Sequence, residues 1–167
     1  MAKGFSQKEG IDYQDTFVPV GRYTSIKPIM SFDSMIKWNL HQMDAKIAYL
    51  NGVIEEELYI KQPQGFEFED RVTHVCKLKR DLYGLKQAPR PWYGRIDNIF
   101  TSLGFTKSKV NPNLYMKIMD DEYVILLMYV DDLFFTGNGK HITDCKKRLA
   151  EEFEMKDLGW MHYFPRL

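Results

Sequence analysis

Two cysteines, Cys76 and Cys145, are all that the 167 residues contain, and they stand far apart in the chain. That rules out a disulfide framework and any paired-cysteine metal motif, and predicts reduced thiols in an intracellular protein. The four histidines form no ligand pattern either. No apolar run approaches the roughly 18 residues that span a bilayer, and the first residues lack the hydrophobic core of a signal peptide. The expectation is a soluble, intracellular chain with no membrane partner. Charge of one sign is also missing: 23 basic residues balance 23 acidic ones, for a formal net charge of +0. Bulk electrostatics therefore give no grip on nucleic acid. There is no internal repeat and no low-complexity segment. At 44% hydrophobic and 28% charged, the composition is that of a globular protein, and the length suits one domain with a substantial core.

The stretch that organises the chain runs from Tyr123 to Gly137. Seven apolar residues, Val124 to Val130, meet Asp131 and Asp132 before Leu133, Phe134 and Phe135 resume. Short runs rich in aromatic and β-branched residues predict two strands of a hairpin, with both carboxylates at its turn. A polar turn is one reading. The other is a cation site. Adjacent carboxylates beside an apolar sheet repel each other and resist desolvation unless a cation or a raised pKa relieves them.

Other elements follow in order. Thr24-Ser25 caps a predicted helix over 25–36 whose stripe is Ile26, Ile29, Met30 and Ile36. A strand over 38–44 delivers Asp44 at its end, ahead of a turn closed by Asn51-Gly52. Leu58-Tyr-Ile60 and Val72 to Leu78 predict two strands joined by the loop Gln62-Pro-Gln-Gly-Phe66. Pro89 to Leu103 has prolines at its start, Gly104 at its end, and one apolar face of Trp92, Ile96, Ile99, Phe100 and Leu103, which predicts a helix. A strand over 114–119 precedes the hairpin strands 123–130 and 133–136. A helix over 141–155 turns Ile142, Cys145, Leu149 and Phe153 inward and Lys146, Lys147 and Arg148 outward. These elements predict an α+β fold, an antiparallel sheet backed by helices on one face. Six of the seven charges between Lys77 and Arg95 are basic (Lys77, Lys79, Arg80, Lys86, Arg90, Arg95), Asp81 being the one acid. Such a stripe suits one nucleic-acid strand, or is simply a solvated face.

Tyr129-Val-Asp-Asp132 between apolar strands resembles the catalytic hairpin of reverse transcriptases, and the surrounding text is similar to their copia-type retrotransposon branch. Trp38 to Gly52, with Asp44 inside it, resembles that family's first catalytic motif. Leu82-Tyr-Gly-Leu-Lys-Gln-Ala-Pro-Arg90 resembles its middle motif, and Thr16-Phe-Val-Pro-Val and Phe105-Thr-Lys-Ser also fit. The resemblance covers essentially the whole chain. It implies a polymerase palm with a partial fingers region over 1–167, the first fingers strand, thumb and RNase H being absent. Four departures from the family pattern stand out, at Pro28, Asp33, Asp81 and Pro91, and a fifth in the ending Phe164-Pro-Arg166.

By the same resemblance Asp44, Asp131 and Asp132 are the catalytic acids and, with the carbonyl of Ala45, hold two Mg²⁺ (or Mn²⁺) ions. Hard carboxylate oxygens suit Mg²⁺, and a pair of such ions activates an attacking hydroxyl and steadies a leaving pyrophosphate. Tyr49 occupies the place of the ring beneath the nucleotide sugar, where it favours deoxyribonucleotides; its alternative is a plain core aromatic. Tyr83, Gly84, Lys86 and Gln87 are implied to line the nucleotide. Lys77, Lys79, Arg80, Arg90 and Tyr129 are implied to hold nucleic acid. The implied partners are an RNA or DNA template with its primer, deoxynucleoside triphosphates, and the RNase H and integrase parts of a Pol polyprotein in a cytoplasmic virus-like particle. The competing readings are a catalytically inactive remnant or domesticated binding domain, and a plain metal-binding α+β domain.

Overall fold

A computed structural model describes residues 2, 4–16, 18–19, 40–54, 56–68 and 74–161. The expected helix over 25–36, with Pro28 and Asp33, lies outside them, as do Trp38 and the ending Phe164-Pro-Arg166. The chain divides into two compact units, Met1–Val18 with Tyr49–Arg95, and Pro19–Ala48 with Ile96–Leu167.

The second unit is built on a six-stranded sheet in which every neighbouring pair is antiparallel. Its strands are β1 (His41–Ala45), β4 (Thr106–Lys107), β5 (Leu114–Met119), β6 (Glu122–Tyr129), β7 (Asp132–Gly137) and β8 (Met155–Trp160), ordered β4-β5-β6-β7-β1-β8. Because side chains alternate along a strand, register sorts them onto two faces. Tyr115, Leu126, Phe135, His41 and Trp160 form one cross-strand row. Both described helices reach that row. Phe100 of α1 (Pro89–Ser102) sets its ring 4.8 Å from Tyr115, and Lys146 of α2 (Gly139–Glu152) lies 3.4 Å from His41 Nδ1. Val124, Leu126, Met128, Leu133 and Phe135 are buried on this face. On the other face Leu40, Leu127 and Phe134 make a separate cluster, with Leu114, Ile125 and Tyr129 against it.

The first unit holds a two-stranded sheet of β2 (Tyr59–Lys61) and β3 (Val75–Lys77). In the same unit Leu58, Leu85 and Ala88 form a core that also takes in Tyr49, Ile54, Leu78 and Leu82.

Several expectations are corrected. The last helix stops at Glu152 rather than 155, because Phe153 turns extended (φ −134°, ψ 151°) and Met155 already pairs with Ala45. Strand β8 has no counterpart among the elements expected from sequence. Asp132 lies in β7 rather than in the turn, since Tyr129 and Asp132 are the last paired residues and only Val130 and Asp131 bridge them. Lys146, expected outward, is buried and bonds Asp157 Oδ1 at 2.6 Å. It is four residues from Ile142 and three from Leu149, which places it on the inward stripe.

Candidate active site

Strand β1 lies beside β7, so Asp44 comes directly opposite Asp132. The Ala45 N–H donates to the Asp131 carbonyl at 2.8 Å, which makes Asp44 and Asp132 a non-hydrogen-bonded pair. In such pairs the Cα atoms stand about 4.5 Å apart and the side chains are close. The row continues on both sides, Tyr129–Asp132–Asp44–Lys156, all on the face away from the helices. Burial raises the pKa of Asp132 above the usual carboxylate range; a bond from Gln42 opposes the rise and the charge of Asp44 adds to it. Two half-buried acids in each other's field are what a hard cation relieves, so the donor chemistry fits a divalent ion. The third acid does not close the set: among the described residues no three His, Cys, Asp or Glu side chains stand in a ligand arrangement.

Asp131 is carried by the hairpin turn, with its Oδ1 shielded from solvent. The preceding Val130 has φ 55°, a conformation that a β-branched residue rarely adopts and that costs on the order of 1–3 kcal/mol. A two-residue turn with positive φ at its first position matches the right-handed twist of the flanking strands, a place usually taken by glycine. Strain is thus stored in the peptide that enters the acid pair. At the other end of β7, Gly137 has φ 134°, and a Cβ there would lie 2.1 Å from the Tyr123 carbonyl. Asn138 then caps α2, its side chain accepting from the backbone of Lys140 and His141.

The remaining residues implied for nucleotide and nucleic acid lie in the first unit, apart from Tyr129. Tyr49 is half-buried, its ring 4.5 Å from that of Tyr83. Gly84 has φ 98°, and its carbonyl comes so close to Gly4 that a Cβ there would lie 1.9 Å away. Lys86 is engaged with Gln7 and lies 5.2 Å from the Tyr13 ring centroid. Gln87 is buried, its amide bonded to Gln7 and to the Asp12 carbonyl. Lys77 pairs with Glu57, Arg80 donates to the Leu50 carbonyl at 3.1 Å, and Arg90 meets Asp15 at 3.1 Å. Lys79 is exposed. Most of the stripe is thus tied to its own unit.

Two polar residues in the structure were not assigned a role from sequence. Gln42 donates to Asp132 Oδ1 at 2.9 Å; its place two residues before Asp44, on the same face, was the only available signal. Asp81, read as one acid in a basic stretch, is fully buried. Neither of its oxygens has a hydrogen-bond partner among the described residues.

The family described as reverse transcriptase (RNA-dependent DNA polymerase) matches residues 1–165. The chain is 44% identical over 161 residues to the retrovirus-related Pol polyprotein from transposon TNT 1-94 of Nicotiana tabacum, covering 95% of this chain and 12% of that polyprotein. It is 38% identical over 165 residues to the Pol polyprotein from transposon RE1 of Arabidopsis thaliana, covering 98% and 11%. The transposon RE2 polyprotein of the same plant gives 37% over 168 residues, again covering 98% and 11%. The chain therefore spans only about an eighth or less of these relatives' length. No solved structure matches it. Together with the hairpin and its partner strand, these matches place the chain in the reverse transcriptase family, among the copia-type retrotransposon Pol polyproteins.

Proposed function

We propose that this chain is the palm, with part of the fingers, of an RNA-directed DNA polymerase. It would add deoxynucleotides to a primer 3′-hydroxyl on an RNA or DNA template, on the sheet face away from the helices. The observation that carries the reading is the pairing of Asp44 with Asp132, reached only because β1 docks beside the hairpin. Asp44, Asp131 and Asp132 would hold two divalent cations, Mg²⁺ or Mn²⁺, with the Ala45 carbonyl as a further oxygen donor. Bound there, the ions would supply Lewis-acid activation of the attacking hydroxyl and charge neutralisation at the leaving group.

The chain's own residues supply position. The Ala45–Asp131 backbone bond ties the turn to β1, and Val130 enters that turn at φ 55°. Tyr49 would act as the sugar selector, a flat ring leaving no space for a 2′-hydroxyl. The RNase H and integrase parts of a polyprotein, and a cytoplasmic particle, complete the proposed setting. Among the described residues no helix is long and apolar enough to cross a membrane.

The test is a transplant. The segment replaces its counterpart in the TNT 1-94 polyprotein, and extension of a primed RNA is measured. Extension is expected, and Asp44→Asn, Asp131→Asn or Asp132→Asn should each reduce it about a hundredfold or more, the scale of a misplaced reacting group. If the relative's own segment supports synthesis and this one does not, the chain is an inactive remnant.

A further inference from the structure

Gln42 and Asp44 share a face of β1, while the residue across from Gln42 on β7 is Phe134 and the one across from Asp44 is Asp132. The Gln42 side chain therefore crosses the ladder diagonally to reach Asp132, a span within reach of a long side chain. Its Nε2 donates to Asp132 Oδ1 at 2.9 Å. The other oxygen, Oδ2, has no hydrogen-bond donor among the described residues. A neutral amide is suited to this post. A lysine or arginine there would neutralise the carboxylate and compete with a cation, whereas an apolar side chain would leave Oδ1 half-buried beside the charge of Asp44 without a donor.

We infer that Gln42 is a positioning residue, holding Asp132 in one rotamer by its Oδ1 so that Oδ2 stays available to a divalent cation. This rests on the proposed polymerase site and adds to it a residue that touches neither nucleotide nor cation. The relationship is that of the outer hydrogen-bond partners of metal-binding carboxylates, whose loss typically costs 10–100-fold in affinity.

Two measurements on the 167-residue chain test it. In the first, Mn²⁺ binding is titrated by the electron paramagnetic resonance of the free ion, with circular dichroism confirming the fold of each variant. Gln42→Met keeps the length of the side chain and removes its donor. It should weaken binding about tenfold, and should add nothing in an Asp132→Asn background, because it acts through Asp132. In the second, without metal, the Gln42 side-chain amide resonances should move on Asp132→Asn. Wild-type affinity in Gln42→Met, with Asp44→Asn clearly weakened, would overturn the inference and leave the polymerase reading standing. So would an equal loss in the Asp132→Asn background, or an unmoved Gln42 amide. A chain whose Mn²⁺ binding does not depend on Asp44 at all would bring down the metal reading and this inference with it.

Discussion

Asp81 shows how far a residue's setting can depart from its local sequence. It follows Lys77-Leu-Lys-Arg80, yet its carboxyl is fully buried and its pKa is pushed up to about 6, first by burial and then by the charge of Glu56. Gly52 makes the space, since a Cβ there would lie 2.8 Å from Asp81 Oδ2. The folded state holds the proton more tightly than the unfolded chain, whose ordinary carboxyl titrates near 3.8. Stability from this group is therefore full only below the unfolded value of 3.8, falls as pH rises to about 6, and stays lost above it. A rise of that size in the folded state corresponds to about 3 kcal/mol. Asp81→Asn is expected to be more stable than wild type by that order at pH 7.5 and equal to it at about pH 3, where both states hold the proton, in urea titrations at both values. Equal stabilities at pH 7.5 would mean that the carboxylate has found a partner. Tyr49 gives a second residue-scale prediction: in the transplanted polymerase, Tyr49→Ala should raise ribonucleotide incorporation relative to deoxyribonucleotide. An unchanged ratio in an active enzyme would make Tyr49 a core ring stacked on Tyr83.

Among the elements, the β6–β7 hairpin and the start of α2 form one continuous piece of machinery. Val130 enters the turn strained, Gly137 leaves β7 through a conformation closed to other residues, and Asn138 caps the helix at once. Gly137→Ala should cost about 3 kcal/mol or more, because the new methyl group meets the Tyr123 carbonyl at a φ that alanine avoids. Asn138→Ala loses only a cap and should cost about 1 kcal/mol. Chemical denaturation of the two variants checks the order; a Gly137→Ala chain as stable as Asn138→Ala would mean that the end of β7 shifts freely.

At the scale of the molecule, burial among the described strands is concentrated in the centre of the six-stranded sheet. Val124, Leu126, Leu127, Leu133 and Phe135 are essentially inaccessible, while β4 has only two residues and β2 and β3 three each, with exposed ends. Among the described strands, amide exchange should therefore be slowest in β6 and β7 and fastest in β4 and the β2–β3 pair, since local opening follows the scarcity of buried contacts. Protection in β2–β3 equal to that of β6 would contradict this distribution.

Much of this was legible in the sequence. The short apolar runs on either side of Asp131 and Asp132, rich in aromatic and β-branched residues, marked the hairpin. Proline at the start and Gly104 at the end bounded α1, and Gly104 does adopt φ 84° just past the helix. Strand β5 ran from Leu114 to Met119 as read. These are local signals, set by side-chain period and backbone preference within a few residues. What the tertiary structure decided was pairing. Met155–Trp160 carries no strong strand pattern and becomes β8 only because β1, distant in sequence, offers it a ladder. Asp81 became buried by packing that no neighbour in sequence announces. Asp44 and Asp132 face each other, and Gln42 reaches Asp132, because register between strands far apart in the chain is fixed by what each face must bury.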